Sequence, residues 1–432
     1  MKRDLYQALK KWKAAKDRKP LIIRGARQVG KTHLLNAFAT TEYKSHVIIN
    51  FEDDKPVAAL FETDLDPHRI IDHIGLLKRT AITPGKTLLI FDEIQACPLA
   101  LNSLKYFNEK LPELHVASAG SLLGVKLGQL RGFPVGQIDF LDLHPLSFFE
   151  FLSASGRATL RDRLETLTLQ NPLPEPLHIE CMTLFKQYYL IGGMPAVVSK
   201  FLDTGDFEQT RTIQQSLLKG YQSDFAKYAD RTDAIKILNI WESIPSQLAK
   251  ENTKFLFKVI KEGARAREYE SALMWLTDAG LIYKVENTET ARIPLAAYRD
   301  RSNFKLYFMD IGLLCAFCNI APASLLSDEI LGTFSGALTE NLVLQELVAH
   351  GKQDLVYWTS PGKAEVDFIL QYNGTLYPLE VKTGTSKKTR SLSVYATHYT
   401  GPLFRASAMN LKRDGDITNY PLYLTGRFPE IH

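Results

Sequence analysis

Cysteine is scarce in this sequence: Cys97, Cys181, Cys315 and Cys318 are the four among 432 residues. Four irregularly spaced thiols do not make a disulfide framework, and a reducing, cytoplasmic setting suits them better. Cys315 and Cys318 form a CxxC, but no second CxxC or HxxxH follows to complete a zinc site. They sit at the apolar stretch IGLLCAF, where two small core residues one helical turn apart are expected. Apolar runs of 18 residues are also missing, so no membrane span is expected. The N-terminal stretch MKRDLYQALKKWKAAKDRK is basic and helical in pattern and has no apolar core, which argues against a secretory leader. A large excess of one charge is lacking as well. The net charge is +4, so any basic binding site must be a local patch.

What is present is ordinary for a globular chain, 45% hydrophobic and 23% charged, with a length that suggests two or three domains. From 1 to about 150, apolar runs alternate with helical spacing. LIIRG (21–25), HVIINF (46–51), LLIF (88–91) and HVASAG (115–120) read as buried parallel strands. That alternation marks an α/β sandwich. From 151 to 230 the pattern is helical, interrupted by the Pro-rich NPLPEPL (171–177) and by GGMP (192–195).

The segment GARQVGKT (25–32) follows a strand and opens a helix, the context a phosphate-binding loop needs. Backbone N–H groups of Gly25, Ala26, Arg27, Gln28, Val29, Gly30, Lys31, Thr32 and His33 would cradle the phosphates of ATP. Lys31 would supply charge to the β- and γ-phosphates, and the Thr32 hydroxyl would ligate Mg²⁺. In TLLIFDE (87–93), Asp92 and Glu93 emerge at the C-terminal end of a buried strand, the edge where open α/β sheets bind ligands. Asp92 is expected to hold Mg²⁺ through water, and Glu93 to act as general base for the attacking water. Ser121, after the strand 115–120, either senses the γ-phosphate or forms a turn. Arg131 is either an arginine finger or a surface arginine.

These segments, together with GSLLGV (120–125), PVGQIDFLDLHPLSFFEFL (134–152) and YLIGGMPAVV (189–198), resemble a bacterial and archaeal family of AAA+-type ATPases that carries a C-terminal domain of unknown function, DUF4143. The resemblance implies an α/β P-loop NTPase core (1–155) with a helical lid (156–230). A winged helix (231–312) and a restriction-endonuclease-like α/β domain (313–432) would follow.

The residues themselves support the last two expectations. Helical segments at 234–250 and 264–281, then strands at 281–285 and 304–310, fit a winged helix-turn-helix. Lys254, Lys258, Lys261, Arg265 and Arg267 would either contact phosphates or form a solvated face. In EVDFILQYNGTLYPLEVK (365–382), Asn373-Gly374 is a two-residue hairpin signal. It sets Val366, Phe368 and Leu370 opposite Val381, Leu379 and Tyr377 on an apolar face. On the other face Asp367 lies opposite Glu380, and Glu365 opposite Lys382. Facing carboxylates roughly 5 Å apart at Cβ need a counterion, and a second divalent metal, Mg²⁺ or Mn²⁺, would serve. Asp367, Glu380 and Lys382 resemble a PD-(D/E)xK nuclease core, and Glu340 matches its helical acid, although Val366 stands where that pattern has proline. Expected partners are therefore ATP and either DNA or another nucleic acid or a protein. Membrane is not among them, and a homo-oligomer stays open.

Overall fold

The structure is a computed structural model. It describes all residues except 122, 128–135, 249–253, 322–332, 363, 386–388 and 432. Arg131 lies outside the described residues. The chain divides into two compact units, residues 1–144 with 278–280, and residues 145–277 with 281–432.

The first unit is built on β1 (Leu21–Arg24), β2 (Ser45–Asn50), β3 (Thr87–Asp92), β4 (His115–Ala119) and β5 (Asp139–Asp142), in the spatial order β2-β3-β4-β1-β5. Every pairing is parallel. β3 and β4 are buried along their whole length, which is why their sequences read as unbroken apolar runs rather than alternating ones. The helices Lys31–Glu42, Lys55–Thr63, Pro67–Lys78 and Pro98–Lys110 connect the strands. Ile22, Ile49, Leu89, Phe91, Leu104 and Phe107 share one continuous core in this unit. β4 is inserted between β1 and β3, so the loop after β1 and the acids after β3 open on the same edge of the sheet. This is the P-loop NTPase arrangement. β5 was not expected as a strand; its four residues are all half-buried, so DFLD lacks the apolar signature of its neighbours.

The second unit contains an eight-stranded mixed sheet. Its strands are β6 (Ile282–Thr288), β7 (Asp300–Phe308), β8 (Val356–Thr359), β9 (Glu365–Tyr372), β10 (Thr375–Val381), β11 (Leu403–Ser407), β12 (Lys412–Asp414) and β13 (Ile417–Pro421). They lie in the order β12-β13-β11-β10-β9-β8-β6-β7. β9 and β10 pair with Leu370 opposite Tyr377 and Phe368 opposite Leu379, the register that the Asn-Gly turn dictates. The two strands expected to form a separate wing are not separate. β6 pairs with β7 and, in parallel, with β8, so hydrogen bonds carry the sheet straight across the boundary expected at 312. The helices Ala158–Glu165, Glu175–Ile191, Pro195–Thr204 and Phe207–Tyr228, expected as a lid on the ATPase core, belong to this second unit as well. The helices Arg231–Leu248 and Ala266–Asp278 occupy the two stretches expected to be helical before β6. Among the described residues, no helix is long and apolar enough to cross a membrane.

Buried polar groups join distant segments of this unit. The Asp310 carboxylate is fully buried, accepts from the backbone N–H of Gly193 at 2.6 Å and caps the helix Ile311–Phe317 by accepting from Leu313 N at 2.9 Å. Glu346, on the helix Thr333–Ala349, accepts from the N–H of Phe148 at 3.0 Å and from the Tyr188 hydroxyl at 2.9 Å. GGMP is thereby fixed from both sides, since Gly193 O also accepts from Leu146 N at 2.7 Å. Leaving a buried donor unsatisfied costs roughly 1–3 kcal/mol. Asp310→Ala strands two, so chemical denaturation should show the second unit destabilised by about 2–6 kcal/mol, with the first unit's transition unchanged.

Candidate functional site

The loop after β1 owes its shape to glycine. At Gly25, φ is 145°, and a Cβ there would stand 2.1 Å from the carbonyl oxygen of Leu143, a backbone atom that cannot step aside. Gly30, at φ 97°, begins the helix Lys31–Glu42 in the left-handed region, and Gln28 also has positive φ. Ala26 and Val29 are buried under the loop, Arg27 is half-buried, and Gln28, Thr32 and His33 face outward. The Lys31 ammonium is buried, donating to the carbonyls of Gly25 at 3.0 Å and Ala26 at 2.8 Å. Burial pushes its pKa down to about 8, with Glu93 and Asp92 pulling the other way. The ammonium closes the loop on itself.

Asp92 and Glu93 divide their work. The Thr32 hydroxyl donates to both Asp92 oxygens at 3.0 Å, which ties the start of the helix to the end of β3. Burial raises the Asp92 carboxyl above its ordinary range, and the Thr32 hydrogen bond opposes that rise. Glu93 sits in the left-handed region at φ 47°, an uncommon conformation for a non-glycine residue and one that concentrates at functional sites. Its Oε2 accepts from Gln95 Nε2 at 2.5 Å and from the Ser121 hydroxyl at 3.1 Å. The structure thus brings Lys31, Thr32, Asp92, Glu93 and Ser121 together at one sheet edge. The donor set suits Mg²⁺ and a triphosphate: a hydroxyl and a carboxylate side by side, below a loop of N–H groups and a buried ammonium.

Three residues of this site were not foreseen. Gln95 holds the Glu93 carboxylate, and its own Oε1 is buried without a partner. Gly120 makes room for it, since a Cβ there would lie 2.5 Å from Gln95 Oε1. Arg3 is buried and donates to the carbonyl of Val29 at 2.8 Å and to that of His144 at 2.5 Å, bracing the loop from beneath. An arginine in a basic N-terminal helix carries no local signal of that role.

The C-terminal residues meet differently. Asp367 and Glu380 are both buried, as a facing pair on one side of the hairpin should be under the sheet's helices. Asp367 accepts from Val381 N at 2.7 Å. Its carboxyl is held well above the usual range by burial first and by Glu340 and Glu365 next. Lys382 pairs with Glu380 at 2.8 Å rather than with Glu365. Glu365 pairs with Lys305 of β7 at 2.5 Å, and the same ammonium reaches Glu340 at 3.2 Å. The Tyr307 hydroxyl donates to Glu340 at 3.0 Å. Among the described residues, no group of three or more His, Cys, Asp or Glu side chains is arranged to hold a metal ion. The facing acids expected to share a second divalent metal are partnered separately, Asp367 by Val381 N and Glu380 by Lys382.

Comparison with known proteins follows this division. Residues 17–152 match the family model of an AAA domain, 182–324 that of a domain of unknown function, DUF8612, and 335–423 that of DUF4143. Among solved structures, a Walker-type ATPase of Pyrococcus abyssi is 16% identical over 73% of this chain and 95% of its own, with a TM-score of 0.46. The Orc1 protein of Aeropyrum pernix in complex with DNA is 12% identical over 74% of this chain and 92% of its own, with a TM-score of 0.28. AMPPCP-bound DnaA of Aquifex aeolicus is 14% identical over 63% and 84%, with a TM-score of 0.27. Likeness at this level carries no functional argument. None of the curated proteins matches. The loop, the acids at the end of β3 and the family matches agree: residues 17–152 form an AAA domain with the P-loop NTPase fold, and residues 335–423 match DUF4143.

Proposed function

We propose that the protein binds Mg-ATP, hydrolyses it, and uses the nucleotide state to control a nucleic-acid-binding module in its C-terminal half. The observation that carries the reading is the pair of contacts at the end of β3, Thr32 to Asp92 and Ser121 to Glu93. Lys31 leaves the Gly25 and Ala26 carbonyls and binds the β- and γ-phosphates. Thr32 and Asp92 hold Mg²⁺, which supplies positive charge against the phosphates when bound. Glu93, oriented by Gln95 and Ser121, accepts the proton of the attacking water. Ser121 touches the base itself, so it can report whether a γ-phosphate is present by exchanging one partner for the other.

The nucleic-acid part rests on two features. The helix Thr333–Ala349, which carries Glu340, precedes the β9–β10 hairpin that carries Asp367 and Glu380, as the resemblance to a restriction-endonuclease-like core implies. Lys258, Lys261, Arg265 and Arg267 are exposed before and within the last helix ahead of β6. Lys305 favours a second reading, a nucleotide-dependent scaffold switch in which a degenerate nuclease fold binds a protein partner, because an ammonium stands among the carboxylates that cleavage would need.

Glu93→Gln should keep ATP affinity and lower kcat by roughly 10²–10⁴-fold, measured as phosphate release, while Lys31→Ala should lose binding. If phosphate release persists at the wild-type rate in Glu93→Gln, another residue is the base. ATP affinity should also depend on pH. The free Lys31 ammonium loses its proton near pH 8 and the phosphate-bound one does so higher. Affinity should therefore be flat below pH 8 and fall by about tenfold per unit above it, with proton uptake on binding seen by calorimetry. Binding of labelled DNA should weaken steeply between low and moderate salt. A salt-insensitive interaction with a protein partner and no DNA binding would favour the scaffold switch.

A further inference from the structure

We propose that Lys305 is a tethered cation, performing in the C-terminal carboxylate cluster the charge balancing that a divalent metal would otherwise perform, so that this module is built to work without metal there. The cluster draws on three elements of the second unit. Glu340 comes from the helix Thr333–Ala349, Glu365 and Asp367 from β9, and Lys305 from β7. Lys305 is 1% exposed, and a lysine is almost never so deeply buried without paired charge. Its ammonium has that pairing twice over, at 2.5 Å from Glu365 and 3.2 Å from Glu340. The face of Tyr357 lies 5.2 Å away and adds a cation–π contact.

The geometry differs from that of a surface ion pair in what it leaves over. Glu340 Oε2 accepts from both Lys305 and Tyr307, so its lone pairs are committed to N–H and O–H donors. Asp367 Oδ2 is committed to the backbone of Val381. A hard divalent ion needs six or more oxygens around it. Here it would have to enter a space already holding a positive charge and displace the donors on Glu340 Oε2 and Asp367 Oδ2. Glu380 pairs with Lys382 at 2.8 Å through Oε1, and its Oε2 is buried without a partner. The carboxylates that look like a metal site in the sequence are closed by a residue 60 positions from Glu365. The inference does not depend on the ATPase reading, and no nucleotide enters its test.

The test uses the full chain carrying Asp92→Asn, which removes the carboxylate assigned to Mg²⁺ in the first unit. Mn²⁺ is titrated and followed by electron paramagnetic resonance of the free ion, with thermal melting in parallel. The parent should bind no Mn²⁺ up to millimolar concentration. Lys305→Met should melt lower, bind one equivalent of Mn²⁺ and recover most of its melting temperature, and Asp367→Asn added to it should abolish both binding and recovery. Lys305→Arg, which keeps the charge, should behave as the parent. Mn²⁺ bound by the parent and lost on Asp367→Asn would overturn the proposal. So would a Lys305→Met variant that melts lower and is not restored by Mn²⁺, because Lys305 would then be an ordinary structural ion pair. If Lys305→Met does not fold, the parent and Lys305→Arg titrations still decide: no bound ion supports the proposal, and an Asp367-dependent ion refutes it.

Discussion

The hydrogen bonds from the Thr32 hydroxyl to both oxygens of Asp92 join residues 60 positions apart in the chain. They can form because β1 and β3 run parallel with β4 between them, which brings the end of each strand to one edge. Everything else in the first unit serves that meeting. Glycine at 25 lets the loop pass against Leu143, Arg3 braces Val29 from below, and Gly120 leaves room for Gln95 to hold Glu93. A buried ammonium and a buried carboxylate would each be costly alone. Lys31 and Asp92 are tolerable because loop carbonyls and a hydroxyl satisfy them.

The same physical rule governs the second unit, with a different solution. Buried Asp310 and Glu346 are satisfied by backbone N–H groups and a tyrosine, and half-buried Glu340 and Glu365 by the buried Lys305. In the first unit such a pairing ties a helix start to a strand end, and in the second one ties a strand to a helix.

The local signals in the sequence proved sound. Apolar runs marked β1 to β4, the loop pattern marked the turn between β1 and the helix Lys31–Glu42, and Asn373-Gly374 set the register of β9 on β10. What escaped was long-range. DFLD at β5 is half-buried at every position and carries neither an apolar run nor an alternation. Lys305 and Arg3 look like any basic residue, because periodicity assigns a face to a side chain and not its partner on a distant strand. β6 and β7 were legible as strands, but a parallel partner that arrives much later in the chain, as β8 does for β6, leaves no mark in the strands themselves.

That parallel pairing has a consequence for how the protein is made. Glu286 of β6 lies beside Val356 of β8, 70 residues downstream. On the ribosome, β6 and β7 emerge well before the strand that covers one edge of their hairpin. Until β8 follows, Glu286, Asn287 and Thr288 offer unpaired backbone to any neighbour. Synthesis of the second unit therefore includes an interval in which an unfinished sheet must be shielded, and chaperone supply should govern its yield more than that of the first unit.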